Sequence, residues 1–205
     1  MQSKIRKAES MLRRADSVMA RLIDRHGPCT LFADNSLIRM PRFHVLVWAI
    51  INQQLSVRAA RSIELKLLSL HRGHSFDQRR ISELDDMQLT ACGLSRQKIR
   101  YLRCLCDAVE SGLLKFAEFE HMGNPVIAET LLKLPGIGPW TVDMFLMFSL
   151  GRLDVLPLGD LALRNAFAQN YPLPERPVIA DYHAIADAWR PYRSISSWYL
   201  WAAVD

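Results

Sequence analysis

The sequence predicts an all-α fold, and two observations support that prediction. Apolar residues recur at spacings of three and four through residues 4–25 and 57–70, which is the periodicity of an amphipathic helix. The chain shows no convincing two-residue alternation and no strand-type turn dipeptide between its apolar segments. We therefore expect the 205 residues to form helices, arranged as one domain or two small ones.

The composition is that of an ordinary globular protein with a basic surface. Half of the residues are apolar, 23% are charged, and the formal net charge is +5. This charge favours a polyanionic partner, although many basic proteins bind nothing acidic. No apolar run approaches the roughly 20 residues of a membrane span, and the N-terminus lacks the apolar core of a signal peptide. We expect no membrane association.

The cysteines indicate a reducing environment. Cys29, Cys92, Cys104 and Cys106 show neither the spacing of a zinc site nor that of a disulfide framework. We therefore expect a cytoplasmic protein.

The first half of the chain is predicted as a series of helices with clear ends. Residues 4–25 are expected to form one N-terminal helix that ends at Gly27-Pro28. Residues 43–53 are apolar almost all round, as in a buried helix. Ser56 is placed to cap the helix over residues 57–70. Further helices are predicted at about 77–84, 85–92, 96–110 (capped by Ser95) and 113–121.

Residues 134–140, with the sequence Leu-Pro-Gly-Ile-Gly-Pro-Trp, predict a tight turn between two helices. Asn124 is the expected N-cap of the helix before the turn, and the helix after it begins at Pro139. Gly136 and Gly138 permit positive φ and a close approach of the backbone. The second helix would then point free N–H groups outward, which suits a phosphate.

Asp160 follows about twenty residues later, in Pro-Leu-Gly-Asp, and opens another predicted helix. An aspartate after a glycine at a helix start is a common N-cap, and that role alone would explain the residue. Such a carboxylate accepts backbone N–H bonds and lies at the positive end of the helix, and both effects favour its ionised form. It is therefore suited to stabilising a positive charge or orienting a water, and poorly suited to donating a proton.

Together, the turn at 134–140 and the Pro-x-x-Asp string resemble the helix–hairpin–helix superfamily of DNA base-excision glycosylases. Within it, the chain is most similar to the DNA-3-methyladenine glycosylase II, or alkylbase glycosylase, branch. The resemblance covers about residues 43–201. It also rests on residues 144–148, 150–152 and the C-terminal segments 189–194 and 199–201.

The resemblance implies two helical lobes with the active site in the cleft between them. Residues 36–150 would form a six-helix barrel that ends in the helix–hairpin–helix at about 125–150. The N-terminal helix in residues 1–35 would pack with residues 151–205 as the terminal lobe. The chain resembles the compact all-α form of the branch, without the additional N-terminal β domain of the larger bacterial enzymes.

The resemblance also assigns roles to individual residues. Asp160 matches the catalytic aspartate. Trp140 and Trp201 match aromatic residues that stack on the extruded base, and Met144 and Phe43 are expected in the same base pocket.

On the DNA side, Gln54 matches the wedge that fills the space left by the flipped nucleotide. The expected DNA-binding residues are Gln53, Gln54, Ser56, Gly136, Ile137, Gly138 and Thr141. The backbone carbonyls of Leu132, Leu134 and Ile137 match positions that hold a monovalent cation, Na⁺ or K⁺.

The implied activity is that of a monofunctional glycosylase of base-excision repair. It would act as a monomer on damaged double-stranded DNA, excise alkylated purines such as 3-methyladenine and 7-methylguanine, and leave an abasic site. Trp140 stands where members with lyase activity carry a lysine. No cysteine follows Cys106, so the iron–sulfur cluster of other branches is not expected, and catalysis would need no cofactor. The protein would lie with the nucleoid in a bacterium and in the nucleus of a eukaryote.

Two alternatives remain open. The chain could be a catalytically silent helix–hairpin–helix DNA-binding module, or a glycosylase for a different damaged base. Gln53 and Gln54 could simply be polar residues at a helix junction, and the tryptophans could be core residues. Met144 stands where some members have a tyrosine, and Gln54 where others have a leucine, so the sequence leaves the range of lesions open.

Overall fold

The computed structural model describes residues 2–32, 40–71 and 74–204. These residues form helices, turns and loops with no β-strand among them, which confirms the all-α prediction. Within the same ranges, no helix combines the length and the apolarity needed to cross a membrane. The α-helices are α1 (Gln2–Ala15), α2 (Ser17–His26), α3 (Arg42–Asn52), α4 (Val57–His71), α5 (Gln78–Glu83), α6 (Asp86–Ala91), α7 (Arg96–Glu110), α8 (Asn124–Leu132), α9 (Pro139–Phe148), α10 (Leu161–Asn170), α11 (Ile179–Ala186) and α12 (Arg193–Ala202).

The chain divides into two compact units. Unit 1 comprises Met1–Ser36 and Gly151–Asp205, and unit 2 comprises Leu37–Leu150. The expected boundary at residues 35 and 36 lies outside the described residues. In unit 1, α12 packs against α1, α2 and α10. In unit 2, α3 packs against α4, α7 and α9.

The prediction of a single N-terminal helix over residues 4–25 is wrong, because Asp16 divides the segment into α1 and α2. Its backbone is extended (φ −151°, ψ 118°), and its Oδ1 accepts hydrogen bonds from the N–H groups of Val18 at 2.7 Å and Met19 at 3.1 Å. A short carboxylate that captures these donors starts a new helix. Buried residues continue at helical spacing on both sides of the break, so the periodicity alone does not reveal it.

Asp16 also anchors the start of α2 inside unit 1. Its second oxygen, Oδ2, accepts hydrogen bonds from the indole Nε1 of Trp189 at 2.7 Å and the hydroxyl of Tyr171 at 2.9 Å. Trp189 is fully buried. The carboxylate therefore satisfies the polar groups of two buried rings while it caps a helix.

The centre of unit 2 is α3, whose residues from Phe43 to Ile51 are buried apart from half-buried Trp48. This confirms the prediction of a buried helix from an apolar run. The described part of unit 2 holds seven α-helices, α3–α9, where the resemblance implied six. The helices predicted at about 77–84 and 85–92 are the separate six-residue helices α5 and α6. Their N-caps, Asp77 and Asp85, accept hydrogen bonds from the backbone N–H groups of Arg80 and Gln88.

Two further local predictions for unit 2 need correction. Asn124 is not the N-cap of α8; Gly123 is, since its carbonyl accepts the first helical hydrogen bond, from Ile127 N–H at 3.2 Å. The short helix expected over residues 113–121 is reduced to one 3₁₀ turn at Glu118–Glu120. By contrast, Ser95 caps α7 through its hydroxyl, as predicted.

Candidate active site

Asp160 is the N-cap of α10, as the sequence predicts. Its Oδ1 accepts a hydrogen bond from the backbone N–H of Leu163 at 2.8 Å. The same oxygen accepts a second one from the indole Nε1 of Trp201, on α12, at 3.0 Å. Both side chains are half-buried. The carboxylate is therefore fixed in orientation by a helix end on one side and by an aromatic ring on the other.

The loop that leads to Asp160 is held by the first turn of α12. The Ser194 hydroxyl donates to the carbonyl of Arg152 at 2.7 Å and accepts from the N–H of Val155 at 3.0 Å. The N–H of Ser194 donates to the carbonyl of Leu153 at 2.9 Å. Ser194 is fully buried, so one side chain and one amide fix the backbone of the loop at three positions between residues 152 and 155.

Arg193 adds an ion pair to the same loop. Its Nε lies 2.6 Å from Asp154 Oδ1, and its Nη2 lies 3.1 Å from Asp154 Oδ2. This is the bidentate arrangement in which a guanidinium fork matches a carboxylate. The side chain of Arg193 is only 11% exposed. The helix α12 therefore binds this loop twice. Arg193 and Ser194, at the start of the helix, fix residues 152–155, and Trp201, near the end of the helix, fixes Asp160.

The hairpin between α8 and α9 depends on Gly136. Its φ is 84°, in the left-handed region that favours glycine. A Cβ at this position would lie 2.2 Å from the ring of Tyr101 on α7. Gly136 therefore meets both expectations, positive φ and close approach. Gly138 meets neither, since its φ is −100° and a Cβ there would have no atom within 4 Å; it is the N-cap of α9.

The loop between α3 and α4 is tied to the hairpin by Gln53. Its amide Nε2 donates to the carbonyl of Gly136 at 2.7 Å and to the hydroxyl of Thr141 at 3.1 Å. Thr141 is buried, so this contact lies inside unit 2. Gln54 is exposed and adopts a left-handed backbone with φ 55°. Ser56, also exposed, accepts a hydrogen bond from the N–H of Ala59 at the start of α4. Their contacts with DNA stay predictions.

The other residues predicted to line the base pocket differ in their exposure. Trp140 is half-buried in the first turn of α9. Met144, one turn further along α9, and Phe43, on α3, are buried in unit 2. That these three side chains contact a base stays a prediction.

Asp143 is a carboxyl group on α9 that the sequence did not single out. It lies one helical turn after Trp140 and is half-buried. Burial raises the pKa of its carboxyl to about 7, because the charged form loses solvation. A fraction of the molecules therefore carries a neutral Asp143 at physiological pH.

The backbone around Leu132, Leu134 and Ile137 forms the turn that precedes α9. The carbonyl of Leu134 accepts a hydrogen bond from the N–H of Ile137 at 3.1 Å. Leu132 is the last residue of α8, where helical carbonyls lack intrahelical partners. Among the described residues, no group of histidine, cysteine, aspartate and glutamate side chains is placed to hold a metal ion.

Lys98 and Tyr101, one turn apart on α7, contact the α3–α4 loop and the hairpin, and neither residue was predicted from the sequence to do so. Lys98 Nζ donates to the carbonyls of Ile51 and Gln53, and Tyr101 packs on Gly136. Their partners lie 35 to 47 positions away in the chain. The only local signal is that both follow the Ser95 cap within the first two turns of a helix.

A helix–hairpin–helix with a helix-capping aspartate beyond it defines a class of DNA-repair proteins, and sequence comparison agrees. Residues 47–191 match the model of the HhH-GPD superfamily of base excision DNA repair proteins, and the chain belongs to that superfamily.

Individual relatives extend the similarity over nearly the whole chain. The DNA-3-methyladenine glycosylase 1 of Schizosaccharomyces pombe is 33% identical over 197 residues, which cover 95% of this chain and 86% of that protein. The alkylbase DNA glycosidase-like protein mag2 of the same yeast is 30% identical over 202 residues, covering 97% and 93%. The solved structure of Schizosaccharomyces pombe 3-methyladenine DNA glycosylase (Mag1) in complex with abasic DNA matches with a TM-score of 0.84 and 33% identity over 95% of each chain.

Proposed function

We propose that this protein is a monofunctional DNA glycosylase that hydrolyses the N-glycosidic bond of alkylated purines and leaves an abasic site. The observation that supports this most directly is the carboxylate of Asp160, oriented by Leu163 N–H and Trp201 Nε1–H. The similarity to a DNA-3-methyladenine glycosylase over 95% of the chain supports the same class of substrate.

The chemistry requires little beyond a well-placed anion. A purine methylated at N3 or N7 is cationic, so its bond to C1′ breaks with the electron pair passing to the base, which leaves neutral. Positive charge then develops on the sugar, and the Asp160 carboxylate stabilises it. A water adds its oxygen to C1′ and gives up a proton to solvent or to Asp160.

The base must leave the helical stack before this reaction, and aromatic rings favour its cationic form. A cation over the face of a tryptophan is attracted by the ring quadrupole. In the proposed mechanism, Trp201 and Trp140 stack on the extruded base and Gln54 enters the space left behind. The free N–H groups at the start of α9 contact a phosphate.

The proposal also covers the working form of the protein. We propose a monomer that acts on double-stranded DNA in the compartment that holds the genome, with no cofactor in catalysis. Non-specific attraction to the phosphate backbone comes from the net charge of +5 and weakens with salt.

We further propose that Na⁺ or K⁺ binds the carbonyls of Leu132, Leu134 and Ile137. This proposal is supported by the position of Leu132 at the end of α8, where carbonyls carry the negative end of the helix dipole. Unfolding midpoints in K⁺, Na⁺ and choline at equal ionic strength test it. A midpoint that is the same in all three salts would contradict it.

One panel of substrates tests the function itself. The full chain is incubated with duplexes carrying 3-methyladenine, 7-methylguanine, ethenoadenine or hypoxanthine, and the free base is quantified. Release of the methylated purines without a borohydride-trapped protein–DNA adduct is the expected result. Binding without release of any base would favour the silent DNA-binding module. Release of only the neutral lesions would favour the alternative of a different damaged base, and a trapped adduct would indicate lyase activity.

A further inference from the structure

We propose that Lys98 is a positioning residue that holds the wedge residue Gln54 in its projecting conformation. This inference rests on the proposed function, in which Gln54 enters the duplex. Lys98 lies on α7, away from the loop in sequence, and would act without touching DNA.

The ammonium group of Lys98 binds the end of α3. Its Nζ lies 2.7 Å from the carbonyl oxygen of Ile51 and 2.9 Å from that of Gln53. The last carbonyls of a helix lack intrahelical partners and carry partial negative charge, so a cation is well matched to them. Burial lowers the pKa of Lys98, which agrees with an amine directed into the protein rather than into solvent.

Gln54 follows Gln53 in the chain, and its backbone conformation needs stabilising contacts of this kind. A positive φ is unfavourable for a residue with a Cβ, and it persists only where neighbouring contacts fix the chain. The side chain of Gln54 is exposed, so packing of that side chain does not supply the constraint. Lys98 instead fixes the carbonyl of Gln53, the group immediately before Gln54.

The other end of Gln53 is fixed as well. Its side-chain amide is bonded to Gly136 and Thr141 in the hairpin segment, and Gly136 packs beneath Tyr101. Lys98 and Tyr101 lie on the same face of α7, one turn apart. The α3–α4 loop and the hairpin are therefore joined to one helix, which sets the position of the wedge relative to the phosphate-binding turn.

Arg103 provides a matched control on the same helix. Its guanidinium donates to the carbonyls of Ile81 at 3.2 Å and Leu84 at 2.5 Å, at the end of α5, and to the carboxylate of Asp86 at 2.9 Å. Replacing Arg103 by methionine removes one positive charge and a set of carbonyl contacts, as Lys98→Met does, but leaves the wedge loop untouched.

The experiment measures base extrusion without excision. The duplex carries 7-methylguanine stabilised against hydrolysis by a 2′-fluorine, with 2-aminopurine as its neighbour, whose fluorescence rises when the stack opens. We expect the wild-type protein to raise the fluorescence, Lys98→Met to reduce the extrusion rate at least tenfold, and Arg103→Met to stay within twofold. The double variant Lys98→Met with Gln54→Ala should be no slower than Gln54→Ala alone, because Lys98 acts through Gln54.

A second measurement separates positioning from direct contact with DNA. The slope of log Kd against log salt concentration should be unchanged in Lys98→Met, whereas loss of a phosphate contact would reduce it by about one. If Lys98→Met does not fold, Lys98→Gln replaces it with the same expectations. Lys98→Arg, which retains the charge and the donors, should extrude the base within threefold of wild type.

The outcomes distinguish this inference from the function on which it rests. If the wild-type protein extrudes the base and Lys98→Met does so equally fast, or if the salt slope falls by one, the role of Lys98 is overturned while the proposed function stands. If the wild-type protein raises no fluorescence on any of the lesions that it is expected to process, the proposed function fails, and the role of Lys98 fails with it.

Discussion

The indole Nε1 of Trp201 donates a hydrogen bond to Oδ1 of Asp160 across 3.0 Å. The sequence predicted an aromatic residue that stacks on the base and, separately, a catalytic carboxylate. The structure joins the two, since the ring expected to stack on the substrate also orients the group that acts on it. Backbone N–H of Leu163 supplies the second hydrogen bond to the same oxygen.

Trp201→Phe tests this contact, because phenylalanine keeps an aromatic face and lacks the N–H. A hydrogen bond to a charged group contributes about 1.5–3 kcal/mol, so we expect excision to slow by about 10- to 100-fold. Single-turnover release of 3-methyladenine measures the effect. Trp198→Phe is the control, since Trp198 lies on the same helix and packs against Tyr199. Equal rates for wild type and Trp201→Phe would show that the hydrogen bond does not contribute.

Asp154→Asn tests the support of the loop that leads to Asp160. The change removes the charge that pairs with buried Arg193. We expect the free energy of unfolding to fall by about 2 kcal/mol and excision to slow with it. Urea unfolding monitored by circular dichroism gives the stability. Arg190→Gln breaks a solvent-exposed contact with the same carboxylate and should change stability little. A similar loss of unfolding free energy in Asp154→Asn and Arg190→Gln would contradict the larger role assigned to the pair of Asp154 with Arg193.

Gly136→Ala and Gly138→Ala form a matched pair within the hairpin. Alanine at 136 would require positive φ and would clash with the ring of Tyr101, so we expect a loss of about 2–4 kcal/mol. Alanine at 138 meets no atom and replaces an N-cap glycine, with an expected effect of about 1 kcal/mol or less. Denaturant midpoints of both variants measure the two losses. A larger loss of stability in Gly138→Ala than in Gly136→Ala would show that the hairpin has a different conformation.

Asp143 makes a prediction about pH. Its pKa is about 7 in the folded protein and about 3.9 in an unfolded chain. Between pH 4 and 7 the unfolded state therefore binds fewer protons than the folded state, and stability falls as pH rises. Asp143→Asn removes this dependence. The unfolding free energy of the variant, relative to that of wild type, should therefore increase from pH 4 to pH 7 and stay constant above pH 7.

The expected increase in relative unfolding free energy is about 1–2 kcal/mol. This is less than the full pKa shift implies, because the side chain of Asp143 still contacts solvent. Unfolding free energies of both proteins at pH 4, 5.5, 7 and 8 measure it. A stability difference that does not change with pH would show that Asp143 is ionised normally in the folded state.

The sequence predicts most of the helices because their signals are local. A serine before α7, an aspartate before α10 and the all-apolar α3 each act within a few residues, and the structure agrees with all three. The break at Asp16 was missed because the apolar period runs through it, although an aspartate inside a helical pattern is a signal for a new start.

The supports of the site were not predictable in the same way. Lys98 reaches carbonyls 45 and 47 positions away, and Ser194 fixes a loop about 40 positions before it. Hydrogen bonds of this kind exist only after the helices have packed, and a lysine or a serine on a helix gives no sign of such a partner. Likewise, the pKa of Asp143 is raised because the side chain is partly buried. An aspartate within a predicted helix gives no sign in the sequence that it will be buried.

The central claim is that the carboxylate of Asp160 promotes cleavage of the glycosidic bond. Asp160→Asn retains an oxygen that can accept a hydrogen bond from Leu163 N–H and removes the charge. The measurement is release of 3-methyladenine from methylated duplex DNA, alongside binding to abasic DNA. Asp181→Asn, at the start of α11, serves as the control because it alters another carboxylate that binds the backbone at a helix start. We predict that Asp160→Asn abolishes release while its Kd for abasic DNA stays within about tenfold, or roughly 1.4 kcal/mol, and that Asp181→Asn retains full activity. Release at the wild-type rate by Asp160→Asn would contradict the account.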